Sequence, residues 1–167
     1  GISGSTFENN TAALSGGGAV FVGSGLTGGI SGSTFTSNTA SYGGAVTVWG
    51  DLTGDISGSE FSGNQASWGG ALYLVGNVDI SGAGAQFLGN KAVYDAANTS
   101  FGRGGAIFHN GGQNPGDPVK TFNLSATPGT PIVFSGNTHT PANAGATPNS
   151  IYFGNLWPAG VDGQVAA

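Results

Sequence analysis

Two short sequence words alternate along this chain, and their spacing constrains its fold more than any other feature. A Phe-x-x-Asn word recurs, and most copies are followed by a word of the form Gly-Gly-Ala with Val, Leu or Ile. Successive Gly-Gly words begin at Gly17, Gly43 and Gly69, each 26 residues after the last. Units of this length bury their apolar face only by stacking on a neighbouring unit. The repeat therefore predicts a solenoid.

The residues between these words predict strands. Apolar residues alternate with Ser, Thr and Gly, as in strands with one face inward, and glycines interrupt every candidate helix. We therefore expect an all-β parallel β-helix of about six coils. Residues 1–154 are predicted to form a single β-helix domain with insertions near residues 91–103 and 109–120. Residues 155–167 match no repeat word and are predicted to be a C-terminal cap or linker.

Stacking of equivalent residues predicts two internal ladders at the usual strand spacing of about 4.8 Å. The Phe residues are expected to stack in the interior. The Asn residues are expected at a corner, where an amide can donate to one coil and accept from the other, and where Asn tolerates a left-handed backbone. The Gly-Gly pair is expected at the next corner, where the absence of a Cβ permits positive φ and a close approach of the backbone. The predicted ladders are Phe7, Phe35, Phe61, Phe87 and Phe134, and Asn10, Asn38, Asn64, Asn90 and Asn137.

The strand after each Gly-Gly pair divides into an inward and an outward column. Its aliphatic positions are predicted to face the core, and the positions between them must then face out. We call these positions the outer column; it consists of Phe21, Thr47, Tyr73, Phe108 and Tyr152.

A candidate binding surface lies beside the outer column. The position before each Gly-Gly pair is Gly16, Tyr42, Trp68 and Arg103 in successive coils. Stacking would align Tyr42 over Trp68 with the Arg103 guanidinium next to them, an arrangement that suits sugar rings and planar side chains. Tyr42, Trp68, Arg103 and Tyr73 are therefore the candidate binding residues. The alternative is that these aromatic residues only shield the sheet or pack under the insertion at 91–103.

The charge composition excludes several classes of partner. The chain has 3 Lys and Arg residues against 8 Asp and Glu residues, too few cations to neutralise a run of phosphates. We therefore expect no nucleic-acid partner. No apolar run approaches the roughly 18 residues of a membrane span, so no membrane insertion of this segment is expected. The chain has no Cys, and its stability must come from stacking.

Catalysis and metal binding are not expected. Polysaccharide-active enzymes need carboxylates that converge on one groove. Only Asp55 and Asp79 share a position in the repeat words, and we interpret them as solvated turn residues in preference to a weak Ca²⁺ site. His109 and His139 have no second ligand at metal-binding spacing. We therefore predict a protein without enzyme activity, catalytic residues, cofactor or metal site. A polysaccharide-active enzyme is the less favoured alternative.

The paired words resemble the repeats of the polymorphic outer-membrane proteins, the adhesin passengers of a class of autotransporters. Residues 131–137 and 149–154 are also similar to the terminal repeats of that family, so the resemblance covers roughly residues 1–154. The resemblance implies a right-handed parallel β-helix that is extracellular and displayed at the bacterial cell surface. It also implies a rigid adhesive module whose partner is a host-cell or matrix glycan or protein.

Self-assembly is the main alternative function. Terminal coils present bare strand edges, which would let copies stack end to end into an extracellular filament. Gly1 lies inside a repeat, which is most simply explained by a processed or excised segment of a longer protein. Such a segment disfavours the filament, whereas a native unit of 167 residues would favour it. Ice binding ranks lower, because the Thr column that begins at Thr11 and Thr39 continues with Gln65 and Lys91.

Overall fold

A computed structural model describes residues 1–93, 102–112, 118–140, 145–154 and 163–165. All regular elements in these ranges are β-strands. Strands one coil apart pair in parallel, and only two pairs, both in the last coil, are antiparallel. The predicted fold class, an all-β parallel β-helix, is confirmed.

Each coil contributes strands to successive faces, which we name by their inward residues. The Phe sheet consists of Thr6–Glu8, Thr34–Thr36, Glu60–Ser62, Gln86–Leu88 and Val133–Ser135. The Ala sheet consists of Thr11–Gly16, Thr39–Tyr42, Gln65–Ala66, Lys91–Val93, Thr138–Thr140 and the antiparallel Thr147–Pro148. The aliphatic sheet consists of Val20–Val22, Val46–Val48, Leu72–Leu74, Ile107–Asn110, Ile151–Gly154 and the antiparallel Gly163–Val165. The closing sheet consists of Leu52–Asp55, Val78–Ser81 and Phe122–Ser125, and a two-stranded sheet pairs Ile2–Ser3 with Ile30–Ser31.

The described residues stack as five parallel coils, close to the predicted number of about six. The fourth coil is longer than the repeat, since Phe87 pairs with Phe134. The extra residues lie between the Lys91–Val93 and Ile107–Asn110 strands and between the latter and Phe122–Ser125. Of the predicted insertions, only parts of 91–103 and 109–120 are among the described residues, and most of 155–167 lies outside them.

The Phe residues form one column in the interior. Phe7 stacks on Phe35 with ring centroids 4.8 Å apart, and Phe35 stacks on Phe61 at 5.0 Å. The next two pairs, ending at Phe134, are each 4.8 Å apart. Phe35, Phe61 and Phe87 are fully buried within a cluster of aliphatic side chains. Burial of this column together with its aliphatic neighbours is the main source of stability.

The Asn residues form a hydrogen-bonded column at the next corner. The Asn64 Oδ1 accepts from both the backbone N–H and the Nδ2 of Asn38, at 3.0 Å each. The Asn64 Nδ2 donates to the carbonyl of Phe35 at 2.9 Å and to the Oδ1 of Asn90 at 3.0 Å. Because the side-chain oxygen and nitrogen of each later member of the column have partners, Asn38, Asn64, Asn90 and Asn137 are buried without an unsatisfied polar atom.

The left-handed residue of this corner is not the ladder Asn, as the sequence suggested, but the residue before it. Positive φ occurs at Asn9 (56°) and Ser37 (55°), and at Gly in the next three coils. The ladder Asn instead directs its N–H and its side-chain amide to the same oxygen of the next coil. A turn one position earlier allows both groups to point along the helix axis.

The Gly-Gly corners are formed as predicted. Gly69 has φ of 65°, and a Cβ there would lie 1.9 Å from the carbonyl oxygen of Leu72. A Cβ on Gly70 would lie 2.0 Å from the carbonyl oxygen of Gly105 in the next coil. The first glycine is therefore needed for its conformation and the second for the close approach of two coils.

Candidate functional site

Three of the four candidate binding residues, Tyr42, Trp68 and Arg103, lie in one column at the end of the Ala sheet, and Tyr73 lies in the outer column of the aliphatic sheet. Gly16 pairs with Tyr42, Tyr42 with Trp68 and Trp68 with Arg103, all in parallel register. Each of these residues precedes the left-handed glycine of its coil, where the chain turns from the Ala sheet into the aliphatic sheet. The tight turn projects their side chains over the outer face of the aliphatic sheet.

Each ring in this column packs on an outer-column ring one coil further along. Tyr42 meets Tyr73 edge to face, with centroids 5.0 Å apart and planes at 64°. Trp68 meets Phe108 in the same way, at 5.1 Å and 81°. The predicted alignment of Tyr42 and Trp68 exists in the backbone register, while their rings cover the next coil.

Arg103 continues the pattern with a cation in place of a ring. Its Cζ lies 5.1 Å from the centroid of the Tyr152 ring and 5.5 Å from that of Trp68. Both distances are within the range of a cation–π interaction. The guanidinium therefore joins the aromatic residues of the third and fifth coils.

The residues of the outer column point away from the main core, as predicted, but most of them are buried. Tyr73, Phe108 and Tyr152 form a second apolar cluster with Val75. Tyr73 and Phe108 stack at 5.4 Å, and Phe108 and Tyr152 at 5.5 Å. Thr47 is also buried, and its Oγ1 donates to the carbonyl of Tyr42 at 2.8 Å. The alternation of a strand predicts which face a residue takes, but not what packs on that face.

Burial also determines the chemistry of Tyr73. Its pKa is raised to about 12, chiefly because burial disfavours the phenolate. Asn110 is buried beside it, with its Nδ2 3.4 Å from the Tyr73 hydroxyl. Tyr73 is thus a neutral support under Tyr42, which leaves the half-buried Tyr42, Trp68 and Arg103 as the surface of the candidate site.

The two histidines lie in different places and have structural partners. The Nε2 of His109 is 3.0 Å from the carbonyl oxygen of Gly76, and burial lowers the His109 pKa. Its ring packs against Phe122 at 5.2 Å. The Nε2 of His139 is 3.2 Å from the Oγ1 of Thr147. Within the described ranges, no group of three or more His, Asp or Glu side chains could hold a metal ion.

Asp55 and Asp79 do not occupy one column, so the expected alignment is wrong. Asp79 pairs with Thr53, and Asp55 pairs with Ser81. The reason is that two extra residues separate Ile80 from its Phe word, compared with Ile56. Ile80 therefore pairs with Gly54, two residues before the position that the shared Ile-Ser-Gly word suggested.

The Asp55 carboxylate is occupied within its own turn. It accepts from the N–H of Ser57 at 2.7 Å and from the Ser57 hydroxyl at 2.6 Å. The hydroxyl bond is the main reason that the Asp55 pKa is lowered. This geometry agrees with the interpretation of Asp55 as a turn residue.

One pair of exposed aromatic side chains was not predicted as a site. Phe21 and Trp49 are 53% and 51% exposed, and their rings meet edge to face at 6.1 Å. Trp49 stands where the neighbouring coils have Gly23 and Val75, one position beyond the repeated strand. The presence of Trp where the neighbouring coils have Gly and Val is the sequence feature that could have identified this pair.

Comparison with protein families identifies the repeat. Residues 4–23 and 58–74 match the model of the Chlamydia polymorphic membrane protein repeat. Each matched segment contains one Phe-x-x-Asn word and one Gly-Gly word. The predicted resemblance to this family is confirmed. No curated protein and no solved structure has significant similarity to the chain. Among the described residues there is no helix long and apolar enough to cross a membrane.

Proposed function

Because this chain carries repeats of the polymorphic membrane proteins, a family associated with the bacterial outer membrane, we propose that it is an adhesive segment displayed at the cell surface. In this proposal the stacked coils are a rigid support and the exposed side chains make the contacts. The partner is a host-cell or matrix glycan or protein.

The alignment of Tyr42, Trp68 and Arg103 on one outer face is the observation that supports adhesion most directly. The three side chains are half-buried, and Tyr73, Phe108 and Tyr152 hold them from beneath. Binding hot spots are enriched in Trp, Tyr and Arg, and rigid support lowers the entropy lost on binding. A platform of this kind suits a sugar ring or a planar side chain.

Binding rather than catalysis is the proposed activity, and the positions of the acidic residues support it. Glu8 and Glu60 are on the outside of the Phe sheet, while Asp55 and Asp79 occupy different columns of the closing sheet. Glycosidases place two carboxyl groups roughly 5–10 Å apart across one groove. These four carboxylates lie on two different sheets and face away from the core.

The filament alternative has less support at the last coil. There the edge of the Ala sheet is covered by Thr147–Pro148 and the edge of the aliphatic sheet by Gly163–Val165. Both covering strands are antiparallel, so two edges that could have templated another parallel coil are already paired.

Replacement of Trp68 tests the proposed function. We expect Trp68→Leu to weaken adhesion of the purified chain to cultured epithelial cells by about tenfold or more, the usual effect of losing a hot-spot Trp. Leu keeps apolar contact with Phe108. Val119→Ala is the control, because Val119 is apolar and 89% exposed and is not a member of the column of Tyr42, Trp68 and Arg103. A Trp68→Leu protein with an unchanged unfolding midpoint and unchanged adhesion would contradict the proposal.

A further inference from the structure

A histidine occupies a core position in the fourth coil. The inward column of the aliphatic sheet runs through Val48, Leu74, His109 and Phe153 in successive coils. Val48 and Leu74 belong to the main core, and His109 is 2% exposed. An ionisable side chain therefore stands where the second and third coils have aliphatic ones.

Aromatic rings pack around His109 where the fourth coil meets the fifth. The His109 ring centroid lies 5.2 Å from that of Phe122, in the closing-sheet strand of the fourth coil. It lies 6.2 Å from that of Phe153, in the fifth coil. Phe122 and Phe153 themselves meet edge to face at 5.0 Å. His109 is thus one of three rings that join the two coils.

A hydrogen bond to the third coil fixes the neutral form of this ring. The Nε2 of His109 is 3.0 Å from the carbonyl oxygen of Gly76. A carbonyl oxygen only accepts, so Nε2 carries the hydrogen. Protonation at Nδ1 would add a charge and a second N–H in a buried position beside apolar side chains. That change costs free energy unless a suitable partner is present.

No carboxylate among the described residues offsets this cost at His109. The ionisable groups on the elements packed around the ring are Tyr73 and Tyr152 on the outer face of the aliphatic sheet, Asp51 and Asp79 at exposed positions, and Lys120. The Oδ1 of Asp51 is bonded to Asn77 at its own corner. Burial is the main cause that lowers the pKa of His109, and the hydrogen bond to Gly76 opposes it only in part.

The second histidine lies in the same part of the solenoid. Residues 1–108 contain no His, and His139 lies in the Thr138–Thr140 strand of the fifth coil. Its Nε2 contacts the Thr147 hydroxyl, and its buried Nδ1 has no hydrogen-bond partner among the described residues. The ionisable residue of the paired strand is Lys91, a cation. Burial lowers the pKa of His139 as well.

Acid should therefore weaken this part of the fold. The pKa of each histidine is lower in the closed coils than in an open chain. Stability is then complete above about pH 6.5 and falls as the pH decreases below that value. Coils of a solenoid contact only their neighbours, so the fourth and fifth coils can open while the first three remain stacked.

We propose that the joint between the fourth and fifth coils is an acid-sensitive switch. In acid, protonation of His109 separates the strand Ile107–Asn110 from the strand Ile151–Gly154. The first three coils, which contain no His, stay stacked.

The switch acts on the candidate binding surface, because the two separating strands also carry its supports. Phe108 packs against Trp68, and Tyr152 lies beneath the guanidinium of Arg103. Separation of the strands removes both supports from their present positions. The switch itself does not depend on the proposed adhesion, so either proposal can fail while the other stands.

The test is hydrogen–deuterium exchange of the full chain at pH 7.5 and pH 5.5, with peptides resolved by mass spectrometry and corrected for the intrinsic effect of pH on exchange. One pH unit below its ordinary pKa, an exposed His is protonated about ten to one, so each His that opens raises the opening constant by at most about tenfold. We expect peptides within 105–112 and 149–154 to lose protection several-fold at pH 5.5. Peptides within 30–48 and 56–74 should change by less than about twofold.

His109→Gln is the main variant, because Gln does not titrate and keeps an N–H donor for the Gly76 carbonyl. We expect it to remove most of the pH response of the fourth and fifth coils. His109→Leu, which copies Leu74 of the preceding coil, serves if the Gln variant does not fold. His139→Gln is the matched control and should keep most of the response, since His139 is only half-buried.

Three results would overturn the proposal. One is equal protection of the fourth and fifth coils at the two pH values. Another is an unchanged pH response in a folded His109→Gln or His109→Leu protein, which would assign the opening to other groups. The third is a similar loss of protection in all coils, which would indicate general acid unfolding in place of a local switch.

Discussion

The inner Phe ladder and the outer column are two aromatic stacks in the same coils, and they differ in regularity. The inner rings are 4.8–5.0 Å apart with planes within 9° in all five coils. The outer stack is continuous only from Tyr73 to Tyr152, at 5.4–5.5 Å, and its first member Phe21 is exposed. The inner stack repeats in every coil because the coils themselves enclose it, whereas the outer stack depends on what each coil places above it.

This difference assigns separate roles to the two sides of the sheets. The inner ladder must be the same in every coil, because each ring is the surface on which the next coil packs. The outer face can vary from coil to coil without loss of the fold. In this chain it carries the half-exposed Phe21 and Trp49 in the first two coils and the buried Tyr73, Phe108 and Tyr152 in the later ones.

Removal of matched Phe rings from the two stacks should have the largest effect. We expect Phe61→Ala to lower the free energy of unfolding by about 3–5 kcal/mol, because it leaves a cavity between two stacked rings. Phe21→Ala should change it by less than about 0.5 kcal/mol, since Phe21 is 53% exposed. Denaturant unfolding of both variants measures this. Equal losses would break the distinction between the two stacks.

The Asn ladder permits a second comparison, between an interior coil and the first coil. Asn64→Ala removes a buried amide that makes four hydrogen bonds, and we expect a loss of about 3 kcal/mol. Asn10 is exposed, and its side chain donates to Asn38 at 2.8 Å. Asn10→Ala should cost about 1 kcal/mol or less by the same measurement. A similar cost at both positions would indicate that the ladder does not stabilise the interior.

The titration of Tyr73 sharpens the claim that the outer stack is a buried cluster. The pKa of Tyr73 is raised from 10.0 to about 12, so between these values the unfolded chain loses a proton that the folded chain keeps. The contribution of Tyr73 to stability should therefore be fully present below pH 10 and should be lost as the pH rises from 10 to 12, a loss of up to about 2–3 kcal/mol.

Tyr73→Phe is the control for this titration, since it keeps the ring and removes the ionising group. We expect its stability to fall less steeply over the same window in unfolding experiments at fixed pH values. Identical pH profiles for the two proteins would contradict the burial of Tyr73.

The inner ladders could be predicted from the sequence because their residues recur at equivalent positions. Phe35 and Phe61, for example, are one repeat apart in the sequence and are register partners on neighbouring strands in the structure. The pairing of Ile80 could not be predicted in this way. Its Ile-Ser-Gly word is identical to that at Ile56, but the register of the strand is determined by the Phe and Gly-Gly words on either side.

The candidate site could be predicted only in part. The column of Tyr42, Trp68 and Arg103 follows from its constant place before Gly-Gly, and the structure brings these residues together. Tyr73 is buried because the Tyr42 ring packs on it from the preceding coil. The spacing of the repeats does not predict this side-chain contact.

The stacking of equivalent residues in register is the central claim, and a disulfide can test it directly because the chain has no Cys. Thr36 and Ser62 are register partners with hydroxyl oxygens 3.1 Å apart, while Leu88 is one coil further along. The account predicts that Thr36→Cys/Ser62→Cys forms an intramolecular disulfide under mild oxidation and that Thr36→Cys/Leu88→Cys does not. A disulfide in the second variant but not in the first, measured by thiol titration and mass spectrometry, would contradict it.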